Sequence, residues 1–406
     1  MANQWFEELE AMYDEIVEWR RHMHQHPELS FHEVETPAFI VEKLESFGVD
    51  VRTQVGGRGV VGLIKGGKPG KTIALRADFD GLPIQDEKDT SYKSKVPGIM
   101  HACGHDGHTA TLLAVAKVLS ENKAELAGNV VLLHQHAEEV VPGGAIAMIE
   151  DGCLDGVDVV FGAHLISGIP YGKYGYRKGN LMAAADTVEI KIQGRGGHGA
   201  SPHETVDSIA IGAQIVNQLQ LLVSRQVDPL QPAVVTIGAF HAGNAPNIIA
   251  DSASMVGTVR TFDEGVRDHL EREITQIVEG VSASFHATGT VNYLRGYPAV
   301  RNHEKETDVF QDVIKKYLDE DMLLEVTPQM GGEDFAYYLK EKPGIFFYTG
   351  AGNSEIGADY PHHHPKFDFD ERAMLHAGKA FLGLVHHYLV DQEQTATPDS
   401  FVNAES

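Results

Sequence analysis

TIALRADFDGLP, Thr72 to Pro83, opens as an unbroken apolar run and then turns abruptly acidic. A continuous run, rather than an alternating one, marks a strand covered on both faces, as in an α/β sheet. Acids directly after it stand where open α/β sheets place their sites, past the carboxyl ends of the strands. The pattern recurs along the chain. VVLL (Val130 to Leu133) leads into HQHAEE, VVF (Val159 to Phe161) into GAHL, and IFFY (Ile345 to Tyr348) into a Gly-rich loop. Helical stretches such as TATLLAVAKVLSENK (Thr109 to Lys123) lie between them. The expected fold class is therefore α/β. Ahead of the first run, Phe6 to Phe47 reads as helical with charged faces, and RRHMHQHPE (Arg20 to Glu28) ends at a proline that breaks the helix.

The pattern changes near residue 183. DTVEIKIQG (Asp186 to Gly194) alternates polar and apolar, the mark of a sheet with one wet face. SPHE (Ser201 to Glu204) reads as a capping box with proline at the first helical position. The helix it would open carries Val206, Ile209, Ala213, Val216, Leu219 and Val223 at helical spacing. AVVTIGAF (Ala233 to Phe240), SASMVGTVRTF (Ser252 to Phe262), a helix near Glu264 to Ala283 and TVNYL (Thr290 to Leu294) follow. The order β-α-β-β-α-β predicts a small α+β, ferredoxin-like insertion. The expected division is a main domain of 1–182 and 298–390, an inserted domain of 183–297, and a polar, flexible tail of 391–406.

Bulk properties narrow the function. At 406 residues the chain exceeds one ordinary core, in keeping with two domains. Lys plus Arg total 33 against 58 Asp plus Glu, a formal charge of -25 that argues against nucleic acid or an anionic membrane as partner. No run of about 18 apolar residues suggests a membrane span. The start, MANQWFEELEAMYDE, is acidic and lacks the pattern of a signal peptide. Only two cysteines, Cys103 and Cys153, fit a reducing compartment, so a cytoplasmic protein is expected.

Cys103 sits in HACGHDGH (His101 to His108), among three imidazoles. It could be a nucleophile, half a disulfide, a metal ligand, or none of these. Glu138 and Glu139, alone, would read as a solvated acidic loop. Their company changes that reading. Cys103, His105, Glu139, His164 and the cluster His362 to His364 mix thiolate, imidazole and carboxylate, the donors that suit zinc and its neighbours. Adjacent carboxylates point apart, so one can ligate while the other moves a proton. His101 and His108 are expected to support the site rather than bind metal. Spacing alone does not decide, since Cys-x-His is too short for a zinc-finger half-site.

HACGHD, HAEE, GAHL, GGHGASPH, GGEDF and HHPKFDFDE, taken together and in this order, resemble the M20 metallopeptidase family over nearly the whole chain. The resemblance is to its amidohydrolase branch, which includes hippurate hydrolase, the indole-acetyl-amino-acid hydrolases and N-acetyl-diaminopimelate deacetylase. It implies an aminopeptidase-like α/β catalytic domain for two metals, with an inserted lid domain that dimerises. By motif, Cys103 resembles the ligand bridging both metals, with His105, Glu139, His164 and His363 as the others. Glu138 resembles the general base, and Asp80 a residue that orients a ligand histidine. Other branches use an aspartate where this chain has the Cys103 thiol. His198 resembles the lid donor to the oxyanion, reaching the partner subunit's site. Arg260 resembles the cation for a substrate carboxylate and Asn247 another substrate contact. Gly331 and Gly332 would let backbone approach closely, while Glu333 and Asp334 would orient or cap.

The implied cofactors are two divalent ions, zinc first, with manganese, cobalt or nickel as alternatives. The implied reaction is hydrolysis of N-acyl amino acids of acetyl or benzoyl type by an activated water, in a homodimer or homotetramer joined through the lid. Three other readings stay open at this point. One is a dipeptidase or aminopeptidase on the same metal site, though no carboxylate can be assigned to hold a free α-amine. Another is metal-free hydrolysis by a Cys103 nucleophile, which leaves the Glu-Glu pair and the extra histidines without purpose. The last is a metal-binding protein with no activity.

Overall fold

The computed structural model describes residues 2–391. Along the chain run α1 (Ala2–Ala11), α2 (Tyr13–Gln25), α3 (Glu35–Ser46), β1 (Asp50–Val55), β2 (Gly59–Lys65) and β3 (Lys68–Asp78). Next come α4 (His105–Glu121), β4 (Ala127–Gln135), α5 (Ala145–Glu150), β5 (Val159–Pro170), β6 (Tyr174–Tyr176) and β7 (Gly179–Met182). Then follow β8 (Ala184–Gln193), β9 (Gly197–His198), α6 (Ser208–Gln226), β10 (Ala233–Ala242), β11 (Ile248–Ile249), β12 (Ser252–Thr261), α7 (Glu264–Ser284) and β13 (Thr288–Leu294). Last are β14 (Val300–Asn302), α8 (Glu304–Tyr317), β15 (Leu323–Glu325), α9 (Phe335–Glu341), β16 (Gly344–Gly352) and α10 (Ala373–His386). The final helical turn, His387–Asp391, includes Asp391, which pairs with Lys316 at 2.6 Å. The rest of the expected tail, 392–406, lies outside the described residues.

The chain forms two units, one of Met1–Leu181, Arg301–Thr327 and Asp334 onward, the other of Met182–Val300 and Pro328–Glu333. Residues 328–333, far from the insertion in sequence, join the second unit because Gln329 O accepts the Ala183 N–H at 3.0 Å.

In the first unit eight strands form one mixed sheet in the order β1-β2-β4-β3-β5-β16-β6-β15. Its centre, β4-β3-β5-β16, is parallel throughout. Here the apolar runs are buried on both faces, as in Ile73 to Asp78 of β3 and Gly344 to Ala351 of β16. Parallel strands require crossovers, and α4 makes one between β3 and β4. The helix is apolar and small-sided all round, and accordingly 15 of its 17 residues are buried. It packs against α2 and α10. Because these strands run the same way, the residues after β3 and β4 and the start of α4 meet at one edge of the sheet.

In the second unit β8, β10, β12 and β13 form an antiparallel sheet ordered β10-β12-β8-β13, with α6 and α7 in the crossovers. This is the ferredoxin-like arrangement. The alternation in β8 is kept: Val188, Ile190 and Ile192 are buried while Thr187 and Lys191 are exposed. Asp186 occupies a buried phase of that alternation, where Arg267 (2.5 Å), the Tyr293 hydroxyl (2.8 Å) and the Gly296 N–H (3.0 Å) satisfy it.

Two expectations here are corrected. Ser201 caps no helix; Pro202–Glu204 is a single 3-10 turn, and α6 begins at Ser208 with the Asp207 side chain accepting from Ile209 and Ala210 N–H. Asp is as strong an N-cap as Ser and sits one residue before the long apolar stretch. The buried stripe of α6 is also different: Ile211, Ile215, Leu219 and Leu222 face the core, whereas Ile209 is 44% exposed. The helix carries two overlapping apolar sets sharing Leu219, and the sheet covers the one that periodicity did not favour.

Candidate active site

The edge where the parallel strands end carries most of the singled-out residues. Gly104 has φ 96, a left-handed conformation that suits glycine, and it starts α4 directly at His105. The His105 ring is fixed by its Nδ1, which faces two acceptors, Asp80 O at 3.0 Å and Asp80 Oδ1 at 3.1 Å, and so carries the hydrogen. Its Nε2 is the atom aimed into the cluster, and among the described residues it has no hydrogen-bond partner although it is buried. It faces Asp78 Oδ2 at 3.7 Å, Glu139 Oε1 at 3.8 Å and Glu138 Oε2 at 3.9 Å. Glu139 Oε1 is likewise buried without a hydrogen-bond partner, and it lies 3.3 Å from His363 Nε2.

The thiol completes the cluster. Cys103 Sγ lies 3.4 Å from His164 Nε2, while His164 Nδ1 gives its hydrogen to Leu165 O at 2.9 Å. Donor atoms of Cys103, His105 and Glu139 lie within 4.8 Å of one another, and so do those of Cys103, His164 and His362. His363 adopts φ 65 and ties its N–H to Ala102 O at 2.8 Å, next to Cys103. His362, deeper than His363, accepts the Ser167 N–H on Nε2 at 3.2 Å and leaves Nδ1 buried without a partner.

Electrostatics here are lopsided. Burial, with Glu139 and Glu138 beside it, holds the Cys103 thiol well above its ordinary value. Burial would lower His105, but Asp78 and Asp80 outweigh it and raise the imidazole to about 10. Burial depresses His164, with His108 and His362 adding to the effect. A thiol held protonated beside an imidazole that resists a proton is a poor nucleophile-base pair. The same excess of carboxylate, which holds a proton on His105, matches a divalent cation in charge and donor chemistry, and such a cation would displace that proton.

The supporting residues divide clearly. His108 uses both nitrogens, Nδ1 on Asp78 Oδ1 at 2.6 Å and Nε2 accepting the Leu165 N–H at 2.9 Å, so neither is left for a ligand. His101 is buried with neither ring nitrogen hydrogen-bonded, and burial lowers it to about 4. Asp80 spans the site. Its Oδ1 meets His105, while Oδ2 accepts Ser30 Oγ at 2.6 Å and the Glu139 N–H at 3.0 Å. Asp334 leaves its own helix uncapped; it pairs with Arg76 at 2.9 Å and accepts the Ala145 N–H at 3.1 Å. Gly331 and Gly332 give room to Met182 and Ala185 of their own unit.

The remaining candidates belong to the second unit. His198 on β9 and Asn247 beside β11 share a short ribbon in which Asn247 O accepts the Gly199 N–H at 2.8 Å, and both side chains are exposed. Arg260 stands on β12 opposite Ala185 and Val234, half-buried, and burial lowers its guanidinium.

Sequence reasoning missed Asp78, which pairs with Arg76 at 2.6 Å, holds His108, and faces His105. Its signal was present: two acids at i and i+2 along a strand share a face. It also missed Ser30 and Glu33, whose roles depend on partners far along the chain.

The family model described as Peptidase family M20/M25/M40 matches residues 74–387. YhaA of Bacillus subtilis (strain 168), an amidohydrolase by designation, is 54% identical over 384 residues, 94% of this chain and 97% of that one. The N-acyl-L-amino acid amidohydrolase of Geobacillus stearothermophilus is 46% identical over 303 residues, covering 74% of this chain and 82% of its own. The crystal structure of the Bacillus subtilis YXEP protein, described as a dinuclear metal binding peptidase from the M20 family, superposes with a TM-score of 0.80 at 35% identity. It covers 93% of this chain and 98% of that one.

Proposed function

Because this chain belongs to peptidase family M20/M25/M40, we propose that it is a metal-dependent amidohydrolase, cleaving N-acyl amino acids to a carboxylic acid and a free amino acid. The observation that carries the reading is the buried pair His105 Nε2 and Glu139 Oε1, 3.8 Å apart beside the Cys103 thiol, neither of them hydrogen-bonded among the described residues. Orphaned buried polar atoms are rare and costly unless something binds them. Cys103, His105, Glu139, His164 and His363 would hold two divalent ions, zinc first among them. Such ions supply Lewis-acid activation of water and of the amide carbonyl near neutral pH.

The chain's own part is proton movement and orientation. Glu138, whose Oε2 lies 3.9 Å from His105 Nε2, takes the proton from the attacking water and later gives it to the leaving amine nitrogen. Asp80 keeps the ligand tautomer of His105 and, through the Glu139 N–H, the backbone of the carboxylate pair. Arg260 is the candidate for a free substrate carboxylate, His198 for a donor to the oxyanion, and Asn247 for a further polar contact. The exposed Ile209 and Leu221 on α6 suit the burial of that helix in a homodimer or homotetramer. Among the described residues no helix is long and apolar enough to cross a membrane; the sparing use of cysteine is what supports a cytoplasmic reading.

Metal-loaded protein assayed on acetyl, benzoyl and longer acyl conjugates, beside unblocked dipeptides, tests the proposal. Acyl conjugates should be turned over and dipeptides not, and exhaustive chelation should abolish the activity. Glu138→Ala should keep its metal and lose at least about 100-fold in kcat. Activity that survives chelation sinks the metal reading, and faster turnover of dipeptides would replace it with a peptidase.

A further inference from the structure

Glu33 lies outside every motif assigned to the metal cluster, yet it grips the chain just ahead of the carboxylate pair. Its side chain is fully buried. Oε1 accepts the Ala137 N–H at 2.9 Å. Oε2 has no hydrogen-bond partner among the described residues, and the Arg58 guanidinium is 3.9 Å away. That guanidinium also donates to the Glu33 carbonyl, pinning the backbone on which the carboxyl is carried.

The residue it holds is unusual. Ala137 has φ 54, in the left-handed region that alanine adopts only under constraint. Glu138 follows directly. On the far side of the pair, the Glu139 N–H is held by Asp80, which in turn takes the Ser30 hydroxyl at 2.6 Å. The dipeptide thus hangs between two buried carboxyl groups, and Ser30 and Glu33 belong to one short segment. Phe31 within it also has a positive φ of 65, and its ring meets the His136 ring edge-on with centroids 6.0 Å apart.

Asp80 has a second use, orienting His105. Beyond the Ala137 N–H, the Glu33 carboxyl meets its own backbone N–H and the Arg58 guanidinium, and no side chain of the metal cluster is known to need it. A fully buried carboxyl is an expensive way merely to satisfy backbone amides. We propose that Glu33 is a positioning residue, whose carboxyl fixes Ala137 in the left-handed conformation that aims Glu138. The proposal rests on the reading of Glu138 as the proton carrier. It adds that the aim is set by a side chain 104 residues away in sequence.

Three variants of the metal-loaded enzyme test it. Glu33→Gln keeps an acceptor of the same reach, whereas Glu33→Met and Glu33→Leu fill the space without one. The Gln variant should stay within about threefold of the parent in kcat. Small misplacements of a reacting group cost up to about 100-fold, so the apolar variants should lose about 10- to 100-fold in kcat, with KM within about twofold. Metal stoichiometry should match that of the Gln variant, with a thermal midpoint a few degrees lower for the stranded Ala137 N–H but the protein still folded at the assay temperature. Equal losses in all three, or a loss that only tracks missing metal or unfolded protein, overturns the proposal. Glu138→Ala run alongside separates the two readings. If it still turns over, the proton-carrier reading falls and this one with it; if it is inactive while Glu33→Met is not, only the positioning role falls.

Discussion

Glu33 also makes a testable thermodynamic statement, separate from its kinetics. Burial pushes its carboxyl up from the ordinary 4.5 to about 7 and Asp80 adds to the rise, while its own backbone N–H, the Ala137 N–H and Arg58 oppose it. At about 1.4 kcal/mol per pH unit, ionising Glu33 in the folded protein costs about 3 kcal/mol more than in the unfolded chain. Below pH 4.5 both states hold the proton and nothing depends on pH. Between 4.5 and 7 the unfolded chain has released the proton and the folded one has not, so stability falls as pH rises. Above 7 the loss is complete. Glu33→Gln imitates the protonated form at every pH and removes this dependence. Relative to the parent it should gain about 2 kcal/mol between pH 5.5 and 8.5. For a unit of this size that is a widening of roughly 4 °C between the two thermal midpoints. Melts of both proteins, metal-loaded and in matched buffers across that range, read the difference directly and cancel every other titrating group. A midpoint difference that stays flat with pH would refute the buried, ionisable carboxyl.

Three further outcomes follow from packing and ligation. Arg20 is fully buried against Asp106 at 2.8 Å and Asp368 at 2.9 Å; Arg20→Met should cost about 3–5 kcal/mol in denaturant titration, and Arg20→Met with Asp106→Asn less, because the stranded carboxylate is then gone. Asp207→Ala should destabilise the second unit by about 1 kcal/mol while Ser201→Ala changes less than about 0.5 kcal/mol, and the reverse ranking would restore the capping box. His363→Ala should bind about one divalent ion fewer per chain by elemental analysis while His362→Ala retains both; the opposite result moves the ligand to His362, whose Nδ1 is buried without a partner.

What was legible in the sequence followed from local pattern and from chemistry that few residues can supply. The apolar runs declared strands buried on both faces, and the residues behind them had to gather at one edge because parallel strands share a direction. Thiolate, imidazole and carboxylate at those ends narrowed the chemistry further. The register of α6 was not legible, since two apolar stripes competed and only the sheet beneath could choose between them. Its true start was hidden for a related reason: two good caps lay six residues apart, and the turn Pro202–Glu204 ended before a helix could form.

The least legible layer was the one that holds the ligands rather than the ligands themselves. Ser30 reaches Asp80, Glu33 reaches Ala137, and Asp78 is shared among Arg76, His105 and His108. Apart from Arg76 and Asp78, which share a face of β3 at i and i+2, these bonds have no spacing rule, because each joins segments that meet only after the sheet is assembled. One of them, Glu33 to Ala137, ends on backbone rather than on another side chain, so its partner residue carries no chemical signature. Yet each fixes an atom whose direction matters more than its identity: the Nε2 of His105, the carbonyl-bound tautomer behind it, and the turn that carries Glu138. In this fold the residues that recognise the chemistry are written at the strand ends. The residues that aim them lie tens of positions away, and buried carboxyls spent on backbone amides are the sign by which they can be found.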